Sequence, residues 1–391
     1  MKRRCVVLMI FLSLFFAVPV HGETAGGEPF GEISAESALL IESSTGKVIF
    51  EKEADVPKSP ASVTKIMTLL LIFEDLSDGK ISLLDQVTVS NHAASMGGSQ
   101  VFLEEGEIQT VETLIKCIAV SSANDGCVAM AEYISGSEEA FVDRMNEKAK
   151  ALGMKNTHFV NCCGLDAQGH LSTARDIGIM SRELTEKYPD IFQYSSIWMD
   201  EFVHKTSKGE SSFGLSNTNK LIKTYQGCNG LKTGSTSKAK FCLSATATRK
   251  DISLIAVVMG CPDSKQRSED VRKMLDYGFA NVIVYEDEDP LESWNVVEIS
   301  GGERESVSIH SGEKFHYTLL KNEEGKQITK NVKILQEIYA PIKKDEVIGE
   351  IDYLLDGEVI GTIPIYSSEE VKEKTYIFSL KSLWNQVRLD T

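Results

Sequence analysis

The stretch that decides the fold is residues 60–73, which read PASVTKIMTLLLIF. Its apolar run predicts a buried helix that ends between residues 75 and 79. Lys65 stands at the start of this run, where a charged side chain must either reach solvent or use its charge. Ser62 precedes it by three residues, and this spacing puts both side chains on one face of a helix. The pair is therefore a candidate functional site.

Strand-like segments occur at both ends of residues 30–285, and helical spacing dominates the middle. In chain order, the predicted elements are a hairpin at 38–50, the helix above, helices within 111–178, strands at 241–247 and 252–258, and a last helix at about 268–277. This order predicts one α/β domain in which distant segments complete a single sheet. A helical subdomain, roughly residues 80–180, is inserted in it.

An acidic run that ends at Pro290 marks a domain boundary. Beyond it, short alternating segments replace the helical patterns, and the pair Asp356-Gly357 predicts a hairpin turn. Residues 291–366 are therefore predicted to form a small all-β domain. The length of 391 residues agrees with two or three domains.

The first 22 residues have the pattern of a secretory signal peptide. Lys2, Arg3 and Arg4 precede an apolar run from Cys5 to Val20. An uncleaved anchor is the alternative, although the run is short for a membrane span. We therefore expect residues 1–22 to direct export of the chain.

The composition is that of a folded globular protein, with 42% apolar and 25% charged residues. The formal net charge of −16 disfavours nucleic acid as a partner, because like charges repel. Beyond Cys5 there are seven cysteines without framework spacing or a Cys-x-x-Cys pair, so neither a metal nor a cofactor is predicted. Most of these cysteines fall in apolar runs typical of buried thiols. A disulfide at Cys162 or Cys163 stays open.

A serine three residues before a lysine is weak evidence alone, because the chain contains six such pairs. Ser62 and Lys65 differ in context, since Pro60 precedes them and a predicted helix follows. Ser62 would then lie near the helix N-terminus, where backbone N–H groups and the helix dipole favour developing negative charge. A capping serine beside a lysine that reaches solvent is the alternative.

Two further motifs follow along the chain. Ser122-Ala123-Asn124 comes directly after an apolar stretch, although a second Ser-x-Asn begins at Ser293. Lys232-Thr233-Gly234 occurs once and leads into a predicted strand, which makes it the most specific single triplet. The alternative for this triplet is a turn that needs glycine for an unusual backbone angle.

In this order, Ser-x-x-Lys, Ser-x-Asn and Lys-Thr-Gly resemble the three motifs of serine enzymes that bind penicillin. The stretches that carry the resemblance are PASVTKIMT (60–68), SSAND (121–125), HLSTARD (170–176) and GLKTGST (230–236). They are similar to those of the D-alanyl-D-alanine carboxypeptidases among the low-molecular-mass penicillin-binding proteins. The likeness is strong over residues 30–285 and looser over the predicted β domain.

The resemblance implies a multi-domain α/β protein with the penicillin-binding or β-lactamase-like transpeptidase fold. In that fold an antiparallel sheet is flanked by helices, and a small C-terminal β-sandwich follows. The implied reaction removes the terminal D-alanine from peptidoglycan pentapeptides at the outer face of the cytoplasmic membrane. β-Lactams would be covalent inhibitors of such an enzyme.

A serine hydroxyl needs a base within hydrogen-bond reach to become a nucleophile. The resemblance implies that Ser62 is the acyl-ester nucleophile, Lys65 its general base and Ser122 the relay of the proton to the leaving nitrogen. A neutral lysine amine can accept the proton, and burial together with a second cation would disfavour its charged form. Lys232 would be that cation and would attract the terminal carboxylate of the substrate.

The implied substrate-binding residues are Asn124, Lys232, Thr233, Gly234, Ser235 and Arg267. Asn124 would hold a substrate amide, and the strand that begins at Lys232 would pair with the bound peptide. The backbone N–H groups of Ser62 and Ser235 would form the oxyanion hole. Arg267 would assist carboxylate binding, and a solvated arginine at a helix start is its alternative.

Two positions depart from the family pattern. Lys240 stands where the family usually has glycine, and Asn161-Cys162-Cys163-Gly164 replaces an Asn-Pro-x-Gly loop. Neither departure falls on a predicted catalytic role, but both bear on the shape of the substrate cleft.

Residues 367–391 are predicted to form an amphipathic tail, with Tyr376, Leu380, Trp384 and Val387 on one helical stripe. A basic helix that carries tryptophan suits peripheral contact with a membrane surface. Packing of the tail against the β domain is the alternative.

Other functions stay open from the sequence. A DD-endopeptidase or a β-lactamase would share the motifs, although the Glu-x-x-Leu-Asn segment of the commonest β-lactamase class is absent. A non-catalytic sensor of β-lactams or peptidoglycan would be expected to lose Lys65, Ser122 or Lys232, and all three are present. The sequence lacks a Gly-x-Ser-x-Gly elbow and a His-Glu-x-x-His motif, which disfavours a Ser-His-Asp hydrolase and a metallohydrolase.

Overall fold

The computed structural model describes residues 30–292, 294–312, 314–323 and 325–377. The predicted signal peptide at 1–22 and the tail from residue 378 onward lie outside these residues. The described residues form nine α-helices: α1 (Lys65–Ser77), α2 (Asn91–Ala94), α3 (Val111–Ser121), α4 (Asn124–Ser135), α5 (Glu138–Ala151), α6 (Ala174–Lys187), α7 (Phe192–Ser195), α8 (Leu221–Thr224) and α9 (Ser264–Asn281). A short 3-10 helix, Ala61–Thr64, runs directly into α1.

The described residues also form sixteen β-strands. They are β1 (Ser37–Glu42), β2 (Val48–Lys52), β3 (Gln86–Thr88), β4 (Ile108–Thr110), β5 (Met199–Thr206), β6 (Gly209–Ser216), β7 (Cys228–Thr236), β8 (Lys240–Arg249), β9 (Ile252–Cys261), β10 (Val282–Asp287), β11 (Val296–Glu298), β12 (Ser306–Ser311), β13 (Phe315–Leu320), β14 (Ile328–Ile334), β15 (Val347–Leu355) and β16 (Glu358–Ser367).

The main sheet has five strands in the order β2-β1-β9-β8-β7, and every neighbouring pair is antiparallel. β1 and β2 form the predicted hairpin, and β8 and β9 are the two predicted strands on either side of a short turn. The pairing of β1 with β9 joins segments from the two ends of the domain. This arrangement confirms the predicted α/β domain with a sheet completed by distant segments.

Helices α6 and α9 pack against opposite faces of this sheet. Leu39 and Leu40 are neighbours in β1, so their side chains point to opposite faces. A Cβ added at Gly178 of α6 would lie 2.5 Å from Leu39, and one at Gly278 of α9 would lie 3.1 Å from Leu40. The two glycines therefore let both helices approach the sheet closely.

Helix α9 is longer than the sequence predicts, since it spans Ser264–Asn281 rather than about 268–277. Asp263 accounts for the earlier start, because its carboxylate accepts hydrogen bonds from the backbone N–H groups of Lys265 and Gln266, both at 2.8 Å. Arg267 consequently lies within the first turn of α9 rather than before the helix.

Helix α1 is the centre of the helical region, as its apolar run predicts. Its residues from Ile66 to Ile72 are buried, and helices α3, α4, α5 and α6 pack against it. The hydroxyl groups of Thr110, Ser137 and Thr173 cap the starts of α3, α5 and α6. Because α6 contacts both α1 and the sheet, it connects the helical region to the strands.

The C-terminal part is all-β, as predicted. β10 pairs with β13, and a five-stranded sheet has the order β11-β12-β16-β15-β14. The rings of Phe315 in β13 and Tyr353 in β15 stack with their centroids 3.7 Å apart, so the two sheets share one core. Asp356 and Gly357 form the predicted turn between β15 and β16, and both have the positive φ that such a turn needs.

The start of the predicted tail is tied to this β domain. Val371 forms a bridge with Ile342, and Glu373 forms one with Gly302. Most of the predicted helical stripe, from Leu380 onward, lies outside the described residues. Within the described ranges, no helix has both the length and the apolar character needed to cross a membrane.

Candidate active site

Ser62 and Lys65 meet where the 3-10 helix runs into α1. Lys65 is the first residue of α1, and its Nζ lies 3.0 Å from Ser62 Oγ, which confirms that the two side chains share one face. The Ser62 hydroxyl caps neither helix, and the Lys65 side chain is 0% exposed. The alternative of a capping serine beside a lysine that reaches solvent is therefore wrong.

Three oxygen atoms surround the Lys65 amine. Besides Ser62 Oγ, they are Asn124 Oδ1 at 2.6 Å and the backbone oxygen of Cys163 at 2.7 Å. A lysine ammonium has three N–H donors, so each donor has an acceptor here. In a neutral amine, the two carbonyl oxygens would accept the two N–H groups and the lone pair would face the Ser62 hydroxyl.

Ser122 occupies the corner between α3 and α4, close to the chain reversal that precedes Asn124. Its backbone is left-handed, with φ 63° and ψ 34°, and it ends α3. Its Oγ is buried and, among the residues described, has no hydrogen-bond partner. A buried hydroxyl without a partner costs free energy, so this group is available to a ligand or to a water molecule.

Asn124 is the first residue of α4, and both ends of its side-chain amide are engaged. Oδ1 accepts from Lys65, and Nδ2 donates to the backbone oxygen of Gly97 at 2.7 Å. The amide therefore holds the amine of Lys65 in place. Each end keeps one further hydrogen-bonding position, so the side chain can also hold a substrate amide, as the sequence predicts.

Strand β7 carries Lys232, Thr233, Gly234 and Ser235, and it is the last strand of the main sheet. A Cβ added at Gly234 would lie 2.9 Å from the backbone nitrogen of Ser62. Glycine is therefore required here, because β7 runs directly against the turn that carries Ser62. The position of β7 at the sheet edge leaves one side of the strand for an added peptide strand.

Lys232 is buried like Lys65 but has much weaker hydrogen bonding. Its side chain is 1% exposed, and the contact found for its Nζ within the described residues is the backbone oxygen of Thr233 at 3.3 Å. Burial first, and then repulsion from Lys65, holds the pKa of Lys232 well below its usual value. An anion bound beside Lys232 would stabilise its charged form.

Arg267 is also buried, at 6% exposure, so it is not the solvated arginine of the alternative. Its Nη1 donates a long hydrogen bond of 3.5 Å to the backbone oxygen of Cys242, and its Nε has no partner among the described residues. Burial lowers the pKa of Arg267, and its charge also contributes to the lowered pKa of Lys232. The structure thus brings a second under-satisfied cation to the region of Lys232.

Two residues that no sequence motif marks, Asp166 and Thr218, make hydrogen bonds that tie the site together. Asp166 Oδ1 accepts from Ser59 Oγ and from Thr236 Oγ1, both at 2.9 Å. It therefore connects the residues just before Ser62 to the end of β7. Thr218 and Thr233 share a hydroxyl–hydroxyl hydrogen bond of 2.5 Å. The sequence shows Asp166 only as an acidic residue shortly after Gly164, and it belongs to none of the three motifs.

The unusual loop at 161–164 lies against the site. Asn161 Oδ1 accepts hydrogen bonds from the backbone N–H groups of Gly164 and Leu165 at 2.7 and 3.1 Å, which closes the loop. The cysteines between them contribute backbone oxygens: Cys163 to Lys65, and Cys162 to Thr68 Oγ1 at 2.5 Å. All seven cysteines in the described part of the chain are free thiols.

The other departure from the family pattern also has a backbone explanation. Lys240 has φ 56°, in the left-handed region that glycine adopts most easily. An ion pair between its amine and Glu36 accompanies this conformation. The lysine at this position therefore keeps the backbone geometry that glycine would allow.

His170 is a structural residue. Its Nδ1 accepts from the backbone N–H of Val160 at 3.0 Å, and its Nε2 is 2.8 Å from Thr64 Oγ1. Burial, and then repulsion from His158, lowers the pKa of His170 to about 4. The imidazole is therefore neutral near pH 7, and both of its nitrogens have hydrogen-bond partners.

Comparison with known proteins identifies similar chains. A family model described as D-alanyl-D-alanine carboxypeptidase matches residues 23–263, and one described as Penicillin-binding protein 5, C-terminal domain, matches residues 279–373. The chain is 42% identical over 387 residues to the D-alanyl-D-alanine carboxypeptidase DacF of Bacillus subtilis, and this match covers 97% of each chain. It is 34% identical over 354 residues to the D-alanyl-D-alanine carboxypeptidase DacA of Escherichia coli, and this match covers 88% of this chain and 85% of that one.

A solved structure shows the same architecture. Penicillin binding protein 5 from Haemophilus influenzae is similar with a TM-score of 0.68 and 30% sequence identity, and the match covers 89% of this chain and 100% of that chain. Both the sheet-and-helix domain and the β domain are thus found together in relatives. The chain belongs to the D-alanyl-D-alanine carboxypeptidase family.

Proposed function

We propose that this serine-type D-alanyl-D-alanine carboxypeptidase works through an acyl-enzyme on Ser62, with Lys65 as the general base. The observation that carries the proposal is the 3.0 Å contact between Lys65 Nζ and Ser62 Oγ in a buried setting. A base at this distance can take the serine proton as the oxygen attacks. The carbonyl oxygens of Asn124 and Cys163 orient the amine by accepting its N–H groups.

Acylation transfers the proton in a defined direction. The neutral Lys65 amine takes the Ser62 proton, and Ser62 Oγ adds to the carbonyl carbon between the two terminal D-alanines. The C–N bond of the tetrahedral intermediate then breaks, and the Ser122 hydroxyl relays a proton from Lys65 to the leaving nitrogen. Water later attacks the ester carbon, with Lys65 again as base, and Ser62 regains its proton.

Strand β7 binds the substrate on the other side of the serine. Its edge pairs with the extended peptide, and the backbone N–H groups of Ser62 and Ser235 hold the oxyanion. Lys232, assisted by Arg267 and the Thr233 hydroxyl, attracts the terminal carboxylate. The under-satisfied hydrogen bonding of Lys232 and Arg267 supports this role, because both cations gain a partner when the carboxylate binds.

The substrate is a peptidoglycan pentapeptide that ends in D-Ala-D-Ala, and the reaction contributes to cell-wall maturation. β-Lactams bind covalently to Ser62 as substrate analogues. The enzyme acts outside the cytoplasm after export by residues 1–22, and residues 367–391 make a peripheral contact with the membrane surface. The serine mechanism uses no metal or cofactor.

A paired assay tests the proposal. The purified chain is expected to release D-alanine from a peptide ending in D-Ala-D-Ala and to become covalently labelled by a fluorescent penicillin. Ser62→Ala should abolish both signals. Ser311→Ala, which alters the serine of another Ser-x-x-Lys pair, should keep both.

The outcomes separate the alternatives. Label retained by Ser62→Ala would show that another residue is the nucleophile. Label without D-alanine release in the wild type would favour the sensor. Rapid loss of the label by hydrolysis would favour a β-lactamase, and faster cleavage of a cross-linked peptide than of a linear one would favour a DD-endopeptidase.

A further inference from the structure

We infer that Cys162, Cys163 and Glu138 form a binding site for a thiophilic divalent cation such as Zn²⁺, next to the serine–lysine centre. The two sulfur atoms and a carboxylate oxygen of Glu138 lie within 4.8 Å of one another. Both thiols are buried, and their side chains have no part in the mechanism above. The inference goes beyond the proposed function and does not depend on it.

The spacing suits a tetrahedral site after a small contraction. Zn–S bonds of about 2.3 Å place two sulfur ligands about 3.8 Å apart, so the sulfurs need to close in by about 1 Å or less. Glu138 is the first residue of α5, and its Oε1 already accepts from the backbone N–H of Cys162 at 3.0 Å. The carboxylate is therefore held against the cysteine loop before any ion binds.

His92 supplies a fourth ligand from α2. Its Nε2 lies 3.6 Å from Glu138 Oε2, and its side chain is 52% exposed, which leaves it room to turn. Its other nitrogen, Nδ1, is 3.2 Å from Glu132 Oε1. Metal-binding histidines commonly have such a carboxylate partner, which fixes the ring and increases its basicity.

The donor set selects the kind of ion. Two thiolates, one carboxylate and one imidazole match the ligands of Zn²⁺ and of its heavier analogue Cd²⁺, whereas Ca²⁺ and Mg²⁺ require oxygen ligands. Each thiol loses its proton to solvent as its metal–sulfur bond forms, so binding releases two protons.

The site is coupled to the catalytic centre through the backbone. The oxygen of Cys163 accepts from Lys65 Nζ at 2.7 Å, and that of Cys162 accepts from Thr68 Oγ1 at 2.5 Å. A metal that draws the two sulfurs together moves the peptide units that hold these side chains. Occupancy by the metal therefore slows acylation of Ser62.

Cadmium provides a direct probe, because cadmium–thiolate bonds absorb in the ultraviolet whatever the enzymatic activity. The full chain, kept reduced by a phosphine, is expected to bind one equivalent of Cd²⁺ with this absorption, and added Zn²⁺ should displace it. The double variant Cys162→Ser/Cys163→Ser should lose the absorption. Cys261→Ala is the matched control, since Cys261 lies at the end of β9 outside the cluster, and it should bind as the wild type does.

A second variant keeps both thiols and guards against misfolding of the first. Glu138→Gln retains an oxygen that can accept from the Cys162 N–H but removes the anionic ligand, and it should weaken Cd²⁺ binding by at least about tenfold. Absence of the cadmium–thiolate absorption in the wild type, or equal absorption in the double variant, would overturn the site. An unchanged affinity of Glu138→Gln for Cd²⁺ would overturn the site as well, because it would show that the two thiols bind the ion without Glu138.

The coupling has its own readout. Labelling by fluorescent penicillin should slow when Zn²⁺ is added to the wild type and should not respond to Zn²⁺ in the double variant. Metal binding without any change in the labelling rate would contradict the coupling to Lys65 while leaving the metal site in place.

Discussion

Lys65 and Lys232 are both buried in the active site, yet their surroundings differ. Lys65 is 0% exposed, and three oxygen atoms lie within hydrogen-bond distance of its amine. Lys232 is 1% exposed, and the oxygen found for it within the described residues is that of Thr233, at 3.3 Å. The two lysines are thus about equally buried, but only Lys65 has a full set of hydrogen-bond partners.

The difference teaches what each lysine is suited to do. A buried amine with a full set of acceptors is held in one place, which is what a base must be if it is to meet one particular hydroxyl. A buried amine with almost none is an unfavourable feature of the free enzyme, and a bound anion relieves it. Replacing each lysine by methionine, which has a similar length and no charge, tests this distinction.

The largest effect is expected from Lys65→Met. The substitution removes the base, so acylation by penicillin should slow by about 10²- to 10⁴-fold. It also leaves the oxygens of Asn124 and Cys163 without their donor, which should lower the free energy of unfolding by about 1–3 kcal/mol. Stopped-flow labelling and denaturant unfolding measure the two effects. A variant with unchanged stability would contradict the view that these oxygens depend on Lys65.

Lys232→Met should have a smaller effect on activity and the opposite effect on stability. Loss of the charge-assisted contact with the substrate carboxylate, about 1.5–3 kcal/mol, should raise KM by about 10- to 150-fold. Removal of a desolvated charge should raise the free energy of unfolding by about 1 kcal/mol. The same two measurements apply, with steady-state D-alanine release added. Destabilisation similar to that of Lys65→Met would show that Lys232 is better satisfied than its contacts indicate.

The smallest effect concerns pH. Because burial and Lys65 lower the pKa of Lys232, its amine loses its proton at a pH below that of a free lysine. As pH rises through this lowered value, Lys232 becomes neutral, its attraction for the carboxylate falls, and KM should rise by less than about tenfold.

The matched variant for the pH profile is Lys232→Arg, whose guanidinium stays charged throughout and should give a flatter profile. A wild-type KM that stays constant until the ordinary lysine pKa of about 10.4 would contradict the lowered value.

Much of the fold could be predicted from local patterns. The β1–β2 hairpin, helix α1 and strands β8 and β9 each have a periodicity or a turn that the sequence displays directly. Each of the three motifs also contributes a residue to the contacts near Ser62, namely Lys65, Asn124 and Gly234. The length of α9 was underestimated, although Asp263 is a recognisable cap, because its apolar spacing becomes regular only later in the helix.

The parts that could not be predicted depend on the backbone or on distant partners. The oxygen of Cys163 beside Lys65 has no side-chain signature, so the loop at 161–164 could be expected to shape the cleft but not to hold the base. Asp166 joins Ser59 to Thr236, and these residues are 107 and 70 positions away from it in the chain. The left-handed backbone of Ser122, at the end of α3, has no signature in the sequence.

The close approach of Gly164 to the turn that carries Ser62 determines which residues of the 161–164 loop can be replaced. A Cβ at residue 164 would lie 1.9 Å from the backbone oxygen of Ala61, so no other amino acid fits without moving the turn that carries the nucleophile. Cys162 and Cys163 contribute backbone oxygens to the centre, which any residue could supply. Selection can therefore exchange the two middle side chains of the loop for a new purpose while the reaction itself is preserved.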